Sequence, residues 1–133
     1  MADTLHFDLV SPEKRLFAGD VDQVVVPGEE GDFAVLPKHS PFMSVIRPGA
    51  ISVTENDEIT RTFIRGGFAE VTPSGLTILA EEAIPLTEVD ADKLAQDITD
   101  IREDISVAKN DAEREAAEAV LVRLTDLQDA LNG

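Results

Sequence analysis

Residues 76–108 read LTILAEEAIPLTEVDADKLAQDITDIREDISVA, and within this stretch the spacing of the apolar side chains changes. Residues 76–80 are a short run typical of a β-strand. After residues 84–86, apolar side chains recur at alternating intervals of four and three, at Leu94, Ile98, Ile101, Ile105 and Ala108. Charged residues separate them, which is the pattern of an amphipathic helix. We therefore predict a β domain at residues 1–83 and a helical domain at residues 84–133.

A second helix is predicted further along the chain. The same spacing continues at Ala116, Val120, Leu124, Leu127 and Leu131. Asn110, followed three residues later by Glu113, forms a capping box that marks a helix start. The short break near Lys109 makes the two helices antiparallel neighbours, with their apolar stripes packed on each other or on the β domain. We therefore expect an αα-hairpin after the β domain.

The chain before residue 84 is a series of short β-rich runs. Leu5, Phe7 and Leu9 alternate with polar neighbours, as in a half-buried strand. The other runs are residues 21–26, 33–36, 43–46, 50–54, 59–64, 68–71 and 76–80. Residues 27–31 (PGEEG) and 72–75 (TPSG) predict hairpin turns between strands. About eight strands with no helical pattern between them predict antiparallel sheets closed into a β-sandwich or barrel.

The charge of the chain argues against several classes of partner. Its 133 residues carry a formal net charge of -16 at pH 7, whereas nucleic-acid affinity depends on Lys and Arg displacing counterions from phosphates. Anionic lipid headgroups repel such a surface for the same reason. We expect no nucleic-acid partner and no direct lipid insertion, so that any membrane association passes through a protein.

Three features of the sequence concern location. No apolar run approaches the ~20 residues that span a bilayer, and the opening residues Met1 to Thr4 lack the basic and apolar regions of a secretion signal. The chain has no cysteine, which excludes disulfides and thiolate metal sites. A cytoplasmic location is expected.

Residues with catalytic chemistry are few. The two histidines are His6, which alternates within a strand, and His39, which lies in a proline-bounded loop. Neither has an identifiable partner, and a nucleophile needs an adjacent base. Gly66-Gly67 lacks the strand–loop–helix setting of a dinucleotide site, so a turn or bulge is predicted there. We expect no cofactor, no metal and no catalytic residue.

Several stretches of the β domain together resemble the epsilon subunit of bacterial F-type ATP synthases, and the resemblance covers the whole chain. The stretches are residues 10–13 (VSPE), 16–19 (LFAG), 27–33 (PGEEGDF), 36–41 (LPKHSP) through 47–49 (RPG), and 65–68 (RGGF). The resemblance implies a non-catalytic β-sandwich of the central stalk, which couples rotation of the c-subunit ring to the gamma subunit. It further implies a peripheral position on the cytoplasmic face of the bacterial inner membrane.

The resemblance also suggests which residues face each partner. By position, the gamma-facing surface corresponds to Ser11, His39, Ser40, Pro41, Phe42 and Met43. The ring-facing loop corresponds to the turn at Glu30, Gly31 and Asp32, for which a solvated hairpin tip is the alternative interpretation.

The family's helical hairpin is a regulatory arm that can reach the alpha/beta catalytic head, and some members bind ATP on it. Their nucleotide motif resembles Ile or Val, Asp, two variable residues, then Arg-Ala. This chain has Val89 and Asp90 but places Lys93 and Leu94 where the family has Arg-Ala. Because lysine lacks the planar fork of arginine, we predict weak or absent ATP binding.

The composition of the arm predicts weak regulation of ATP hydrolysis. Residues 111–133 contain six acidic side chains and two basic ones, Arg114 and Arg123. The family's arm grips an acidic segment of the head, and like charges oppose such docking.

Two other interpretations stay open at this point. One is a free adaptor or ligand-binding β-sandwich whose acidic hairpin docks on a basic partner. The other is a small carbohydrate-active enzyme that uses one of the many possible carboxylate pairs.

Overall fold

The computed structural model describes residues 3–133. Met1 and Ala2, which belong to the opening segment used above to predict a location, lie outside the described residues. The strands are β1 (Leu5–Val10), β2 (Arg15–Val21), β3 (Gln23–Gly28), β4 (Gly31–Val35), β5 (Phe42–Val45), β6 (Gly49–Glu55), β7 (Glu58–Thr72) and β8 (Gly75–Pro85). A 3₁₀ turn (Leu86–Glu88) and the helices α1 (Ala91–Ser106) and α2 (Asp111–Asn132) follow. None of the helices within residues 3–133 is long and apolar enough to cross a membrane.

The strands form one hydrogen-bonded sheet in the order β2-β1-β8-β7-β6-β3-β4, with β5 paired to β7. It folds into two layers because the long strands β7 and β8 each contribute to both. The second half of β7 pairs with β5, whereas its first half pairs with β6. The first layer is therefore β2-β1-β8-β7-β5, and the second is β8-β7-β6-β3-β4.

Apolar side chains from both layers fill the space between them. The largest fully buried members of this core are Phe7, Ile51, Ile64, Leu76 and Ile78. Phe7 and Leu9, predicted to alternate inward, are both buried. The β-sandwich followed by two helices confirms the predicted fold class.

The corner between the layers lies at Gly66 and Gly67, whose φ angles are +71° and +110°. The pairing of β7 with β8 keeps one register on either side, from Arg65 with Glu82 to Gly67 with Ala80. The predicted turn or bulge is thus a bend within one continuous strand. Before the bend Ile64 points inward, and after it Ala69 does. The inward-facing residues of β7 thus have even numbers before the bend and odd numbers after it, so that β7 contributes side chains to the core in both layers.

The two predicted hairpin turns are present. Gly28 pairs with Gly31 and Thr72 with Gly75, so each turn has two central residues. Two other features were not predicted from sequence. Strand β2 was missed because it is an edge strand on which only Val21 is buried, and β1 pairs with β8 in parallel, whereas every other pairing is antiparallel. The predicted run 21–26 is divided between the end of β2 and β3.

The helical unit begins close to the predicted position. Strand β8 runs to Pro85, and the chain divides into compact units after Thr87, four residues beyond the predicted boundary at 83. The extra residues stay with the sandwich because Thr62 and Phe63 of β7 pair with Pro85 and Ile84.

Within the hairpin, the predicted cap is present. The Asn110 side chain accepts a hydrogen bond from the Glu113 backbone N–H at 2.8 Å, and the Glu113 carboxylate accepts one from the Lys109 N–H at 2.9 Å. Leu124 and Leu127 of the predicted stripe are buried. At its start, however, Ala116 and Val120 are exposed and the adjacent residues Ala117 and Leu121 are half-buried. The stripe is shifted by one position there.

Candidate functional site

An apolar row crosses the outer face of the first layer. Val45 pairs with Phe68, Phe68 with Leu79, and Leu79 with Val10, so four neighbouring strands contribute one side chain each. Val45 is 57% exposed, and Phe68 and Leu79 are each 37% exposed. Contiguous apolar side chains on the surface of a sheet mark a protein-interaction site more often than isolated ones do. We call Val10, Val45, Phe68 and Leu79 the apolar row.

The bend in β7 determines which way this row points. Ala69 and Val71 face the interior, so Phe68 must face outward by alternation. On β8 the inward residues are Leu76 and Ile78, which leaves Leu79 on the outer face. A shallow cavity of about 360 Å³ beside the row is lined in part by Pro12, Phe68 and Leu79.

The predicted gamma-facing residues fall in three places. Ser11 directly follows Val10, and its hydroxyl holds the β1–β2 turn through the Lys14 carbonyl oxygen at 3.2 Å. Met43 lies two residues before Val45 and is exposed on the same face of β5. These two residues therefore adjoin the apolar row from opposite sides.

The other predicted residues lie away from the row. His39, Ser40 and Pro41 lie in the connection between β4 and β5, where the His39 Nδ1 is 2.8 Å from the Ser40 carbonyl oxygen. Phe42 starts β5 and packs its ring edge-on against Phe33, with 5.1 Å between the ring centroids.

Sequence reasoning did not select Val10, Val45, Phe68 and Leu79 as interface residues. Val45, Phe68 and Leu79 were within predicted strands, but the outward side of each run depends on the bend and on the pairing with β8. The signal available in the sequence was the excess of apolar residues over strict alternation, as in Ile78-Leu79-Ala80.

The predicted ring-facing turn forms one wall of a second feature, a cleft of about 440 Å³. Glu29, Glu30 and Asp32 line one side, and residues 42–45 of β5 line the other. Two backbone hydrogen bonds tie the walls together, from the Glu29 N–H to the Val45 oxygen at 3.0 Å and from the Arg47 N–H to the Pro27 oxygen at 2.9 Å. The Arg47 guanidinium also pairs with the Asp32 carboxylate. The cleft is thus fixed by contacts within the sandwich.

The residues of the degenerate nucleotide motif have structural roles in this protein. Asp90 caps α1, its carboxylate accepting hydrogen bonds from the Asp92 and Lys93 backbone N–H groups at 3.0 and 3.1 Å. The Lys93 ammonium pairs with Asp97 at 3.1 Å. Leu94 is buried and Val89 is half-buried. Asp90 and Lys93 therefore each have a partner within α1.

A two-layer β-sandwich with an exposed apolar row and a preformed cleft, followed by a helical hairpin, defines a protein-binding subunit. Residues 4–86 match the family described as "ATP synthase, Delta/Epsilon chain, beta-sandwich domain". Residues 90–133 match the family of C-terminal domains of the ATP synthase epsilon chain. The protein belongs to the ATP synthase epsilon chain family, which confirms the resemblance found in the sequence.

Individual relatives agree with this assignment. The ATP synthase epsilon chain of Maricaulis maris is 66% identical over 128 residues, covering 96% of both sequences. That of Parvibaculum lavamentivorans is 50% identical over 129 residues, covering 96% of this protein and 98% of the relative. One subunit in the cryo-EM structure of the Euglena gracilis mitochondrial ATP synthase (OSCP, F1 and c-ring) superimposes with a TM-score of 0.80 at 27% identity. That match covers 96% of this protein and 81% of the Euglena subunit. The protein is thus a subunit of an ATP synthase complex.

Proposed function

We propose that this protein is a joint of the central stalk, which holds the gamma subunit on one face and rests on the c-subunit ring at one end. The observation that carries the proposal is the exposed apolar row across β5, β7, β8 and β1. A surface of this kind needs a permanent partner, because leaving Val45, Phe68 and Leu79 in water favours non-specific association. Because the protein belongs to the epsilon chain family, we take gamma to be the partner that covers this row.

The gamma surface is proposed to be the apolar row together with its neighbours Ser11 and Met43. The segment His39, Ser40, Pro41 and Phe42 leads into β5 just before Met43, and we propose that it forms a separate part of the gamma contact, away from the row. The turn at Glu30, Gly31 and Asp32 is proposed to face the ring. Both surfaces belong to the same rigid sandwich, since β5 contributes Val45 to the apolar row and residues 42–45 to the cleft beside the turn.

A joint that carries torque must resist shear between its two faces. The buried core joins both layers without a break, and β7 and β8 run through both of them. Close-packed interiors deform little under load. Movement of the ring at the turn is therefore transmitted to the apolar row instead of being absorbed within the sandwich.

The location follows from the complex. As part of an ATP synthase the protein is membrane-associated, and we place it at the cytoplasmic face of the bacterial inner membrane, held there by its protein partners. The hairpin is proposed to be a weak regulatory arm that contacts the alpha/beta head only when extended. Its acidic surface, with six acidic and two basic side chains in residues 111–133, opposes that contact.

The experiment that tests the joint uses membrane vesicles carrying an ATP synthase from which the epsilon subunit has been removed. Adding the full-length protein is expected to restore ATP synthesis driven by a proton gradient, together with binding to gamma in a pull-down. A protein that binds neither gamma nor the vesicles would instead be a free adaptor, and the joint would be disproved.

A second prediction concerns nucleotide. We expect calorimetric titration of the full-length protein with MgATP to show no binding tighter than about 1 mM, equivalent to about -4.1 kcal/mol, because Asp90 and Lys93 are engaged within α1. The matched variant Lys93→Arg supplies the family's fork and is expected to bind no better, since Leu94 still fills the adjacent space. Micromolar binding by the unaltered protein would contradict this prediction.

A further inference from the structure

A small cavity of about 110 Å³ lies between the two layers of the sandwich, where β1 and the edge strand β2 face the β6–β7 hairpin. Its first wall is apolar. Phe7 and Leu9 belong to the buried core, and Phe17 faces the same side of the layer because it pairs with Leu9. The ring centroids of Phe7 and Phe17 are 5.6 Å apart. Phe17 is 37% exposed, so it lies at the mouth of the cavity.

The opposite wall departs from the alternation that is usual in a sandwich. On β6, Ile51 and Val53 face the interior, and their partners on β7 are Thr62 and Thr60. Directly paired residues share one face of a sheet, so both threonines point inward, where apolar side chains are usual. Both line the cavity. Within residues 3–133, neither of these hydroxyl groups forms a hydrogen bond.

A carboxylate completes this polar wall. Glu55 occupies the next inward position after Val53 on β6 and also lines the cavity. It is exposed, and among the described residues it forms no ion pair. Glu58 pairs with it across the hairpin, so the rim of the cavity is negatively charged. Convergent polar groups above an apolar floor are typical of small-molecule sites, and local rules are broken most often at such sites.

The size of the cavity and the chemistry of its walls restrict the ligand. An apolar cavity of about 150 Å³ holds benzene. A cavity of about 110 Å³ that opens beside Phe17 therefore accommodates one ring of that size if the substituent of the ring lies in the mouth. Glu55 attracts a positive charge and repels an anion, and the threonine hydroxyls accept hydrogen bonds from N–H groups. An ammonium group satisfies both.

We propose that this cavity binds a small molecule that joins one phenyl-sized apolar group to a primary amine. The apolar group lies against Leu9 and Phe17, and the ammonium donates hydrogen bonds to Glu55 and Thr60. The site goes beyond the proposed function, because it lies on none of the surfaces assigned to gamma or to the ring. Val21 is the only buried residue of β2, so a ligand that contacts both walls also holds this edge strand to the second layer.

The test is an NMR titration of the isotope-labelled full-length protein with benzylamine at neutral pH. We expect amide shifts confined to β1, β2, β6 and the first half of β7, with a Kd of about 1 mM, as the small size of the ligand allows. Benzyl alcohol, the neutral counterpart, is expected to bind about fivefold more weakly. Benzoate is expected not to bind below about 20 mM, because its carboxylate is repelled by Glu55.

Two variants and a matched control assign the binding to this cavity. Glu55→Gln is expected to weaken benzylamine about fivefold and to leave benzyl alcohol unchanged, since only the charge is lost. Thr62→Leu fills the inner end of the cavity and is expected to weaken both ligands about tenfold. The control Glu30→Gln removes the same charge at the opposite end of β3 from the β6–β7 hairpin. It is expected to change either Kd by less than about twofold, and circular dichroism verifies that each variant is folded.

Several results would overturn the site. If benzylamine causes no shifts up to about 20 mM, the cavity does not admit the ring. Equal binding of benzylamine and benzyl alcohol, or undiminished benzylamine binding by Glu55→Gln, would show that Glu55 does not hold the amine. If folded Thr62→Leu binds as well as the unaltered protein, or if Glu30→Gln loses as much as Glu55→Gln, the amine associates with the acidic surface instead of the cavity. None of these results bears on the binding of gamma, so the proposed function is tested separately.

Discussion

Replacing Gly67 with alanine is expected to lower the free energy of unfolding by about 4 kcal/mol. The Cβ of an alanine at this position would lie 1.7 Å from the backbone oxygen of Leu79, and the φ angle of +110° is one that side-chain-bearing residues rarely adopt. The neighbouring strand cannot yield easily, because Leu79 and Ala80 are paired with β7 on either side of the clash. Urea unfolding followed by circular dichroism measures the loss.

A glycine without the clash separates the two causes. Gly31 has a φ angle of +137°, yet an added Cβ there meets no atom within 4 Å. Gly31→Ala should therefore cost only the backbone strain, about 2 kcal/mol. Equal losses for both variants would show that the close approach of β8 to Gly67 contributes nothing to the cost.

Replacing Phe68 with serine is expected to raise the Kd for gamma about 100-fold. Phe68 lies in the middle of the apolar row, between Val45 and Leu79. Aromatic side chains at the centre of an interface account for most of its binding energy, because water is excluded around them. Titration of purified gamma with the full-length variant measures the change.

The control for this prediction is Ile59→Ser. Ile59 lies on the same strand and is 66% exposed, more than Phe68, but it pairs with Thr54 of β6 in the second layer. Its replacement should change the Kd by less than about twofold. A similar loss for both variants, or none for Phe68→Ser with the fold intact by circular dichroism, would place the gamma contact elsewhere on the sandwich.

The parts of the fold that the sequence predicted are those governed by local chemistry. The hairpin turns at residues 27–31 and 72–75 depend on proline and glycine within a few positions, and the α2 cap depends on Asn110 and Glu113 three residues apart. Strand β2 escaped prediction because an edge strand buries little and need not alternate. The apolar row was not predicted because it joins the β7–β8 hairpin to β5 and β1, which are distant from that hairpin in sequence.

The candidate site likewise combines features that the sequence predicted with features that only the structure shows. The departure from the family's nucleotide motif could be recognised in the sequence because Lys93 and Leu94 are adjacent. The structure adds that Asp90 caps α1 and that Lys93 pairs with Asp97. The cleft could not be predicted from the sequence, because it forms only where the β3–β4 turn meets β5 through the hydrogen bond from the Glu29 N–H to the Val45 oxygen. The roles given to the predicted gamma-facing and ring-facing residues remain proposals.

By itself, the sequence determined that a β domain precedes a helical hairpin and that the whole is strongly acidic, and its motifs identified the family. These properties follow from side-chain periodicity, charge and short motifs, which act over a few residues. Only the tertiary structure decided which side of each strand faces outward. On β7 the bend at Gly66 and Gly67 makes that choice, because the inward-facing residues have even numbers before the bend and odd numbers after it. Phe68 therefore lies at the surface, while Ala69 and Val71 enter the core.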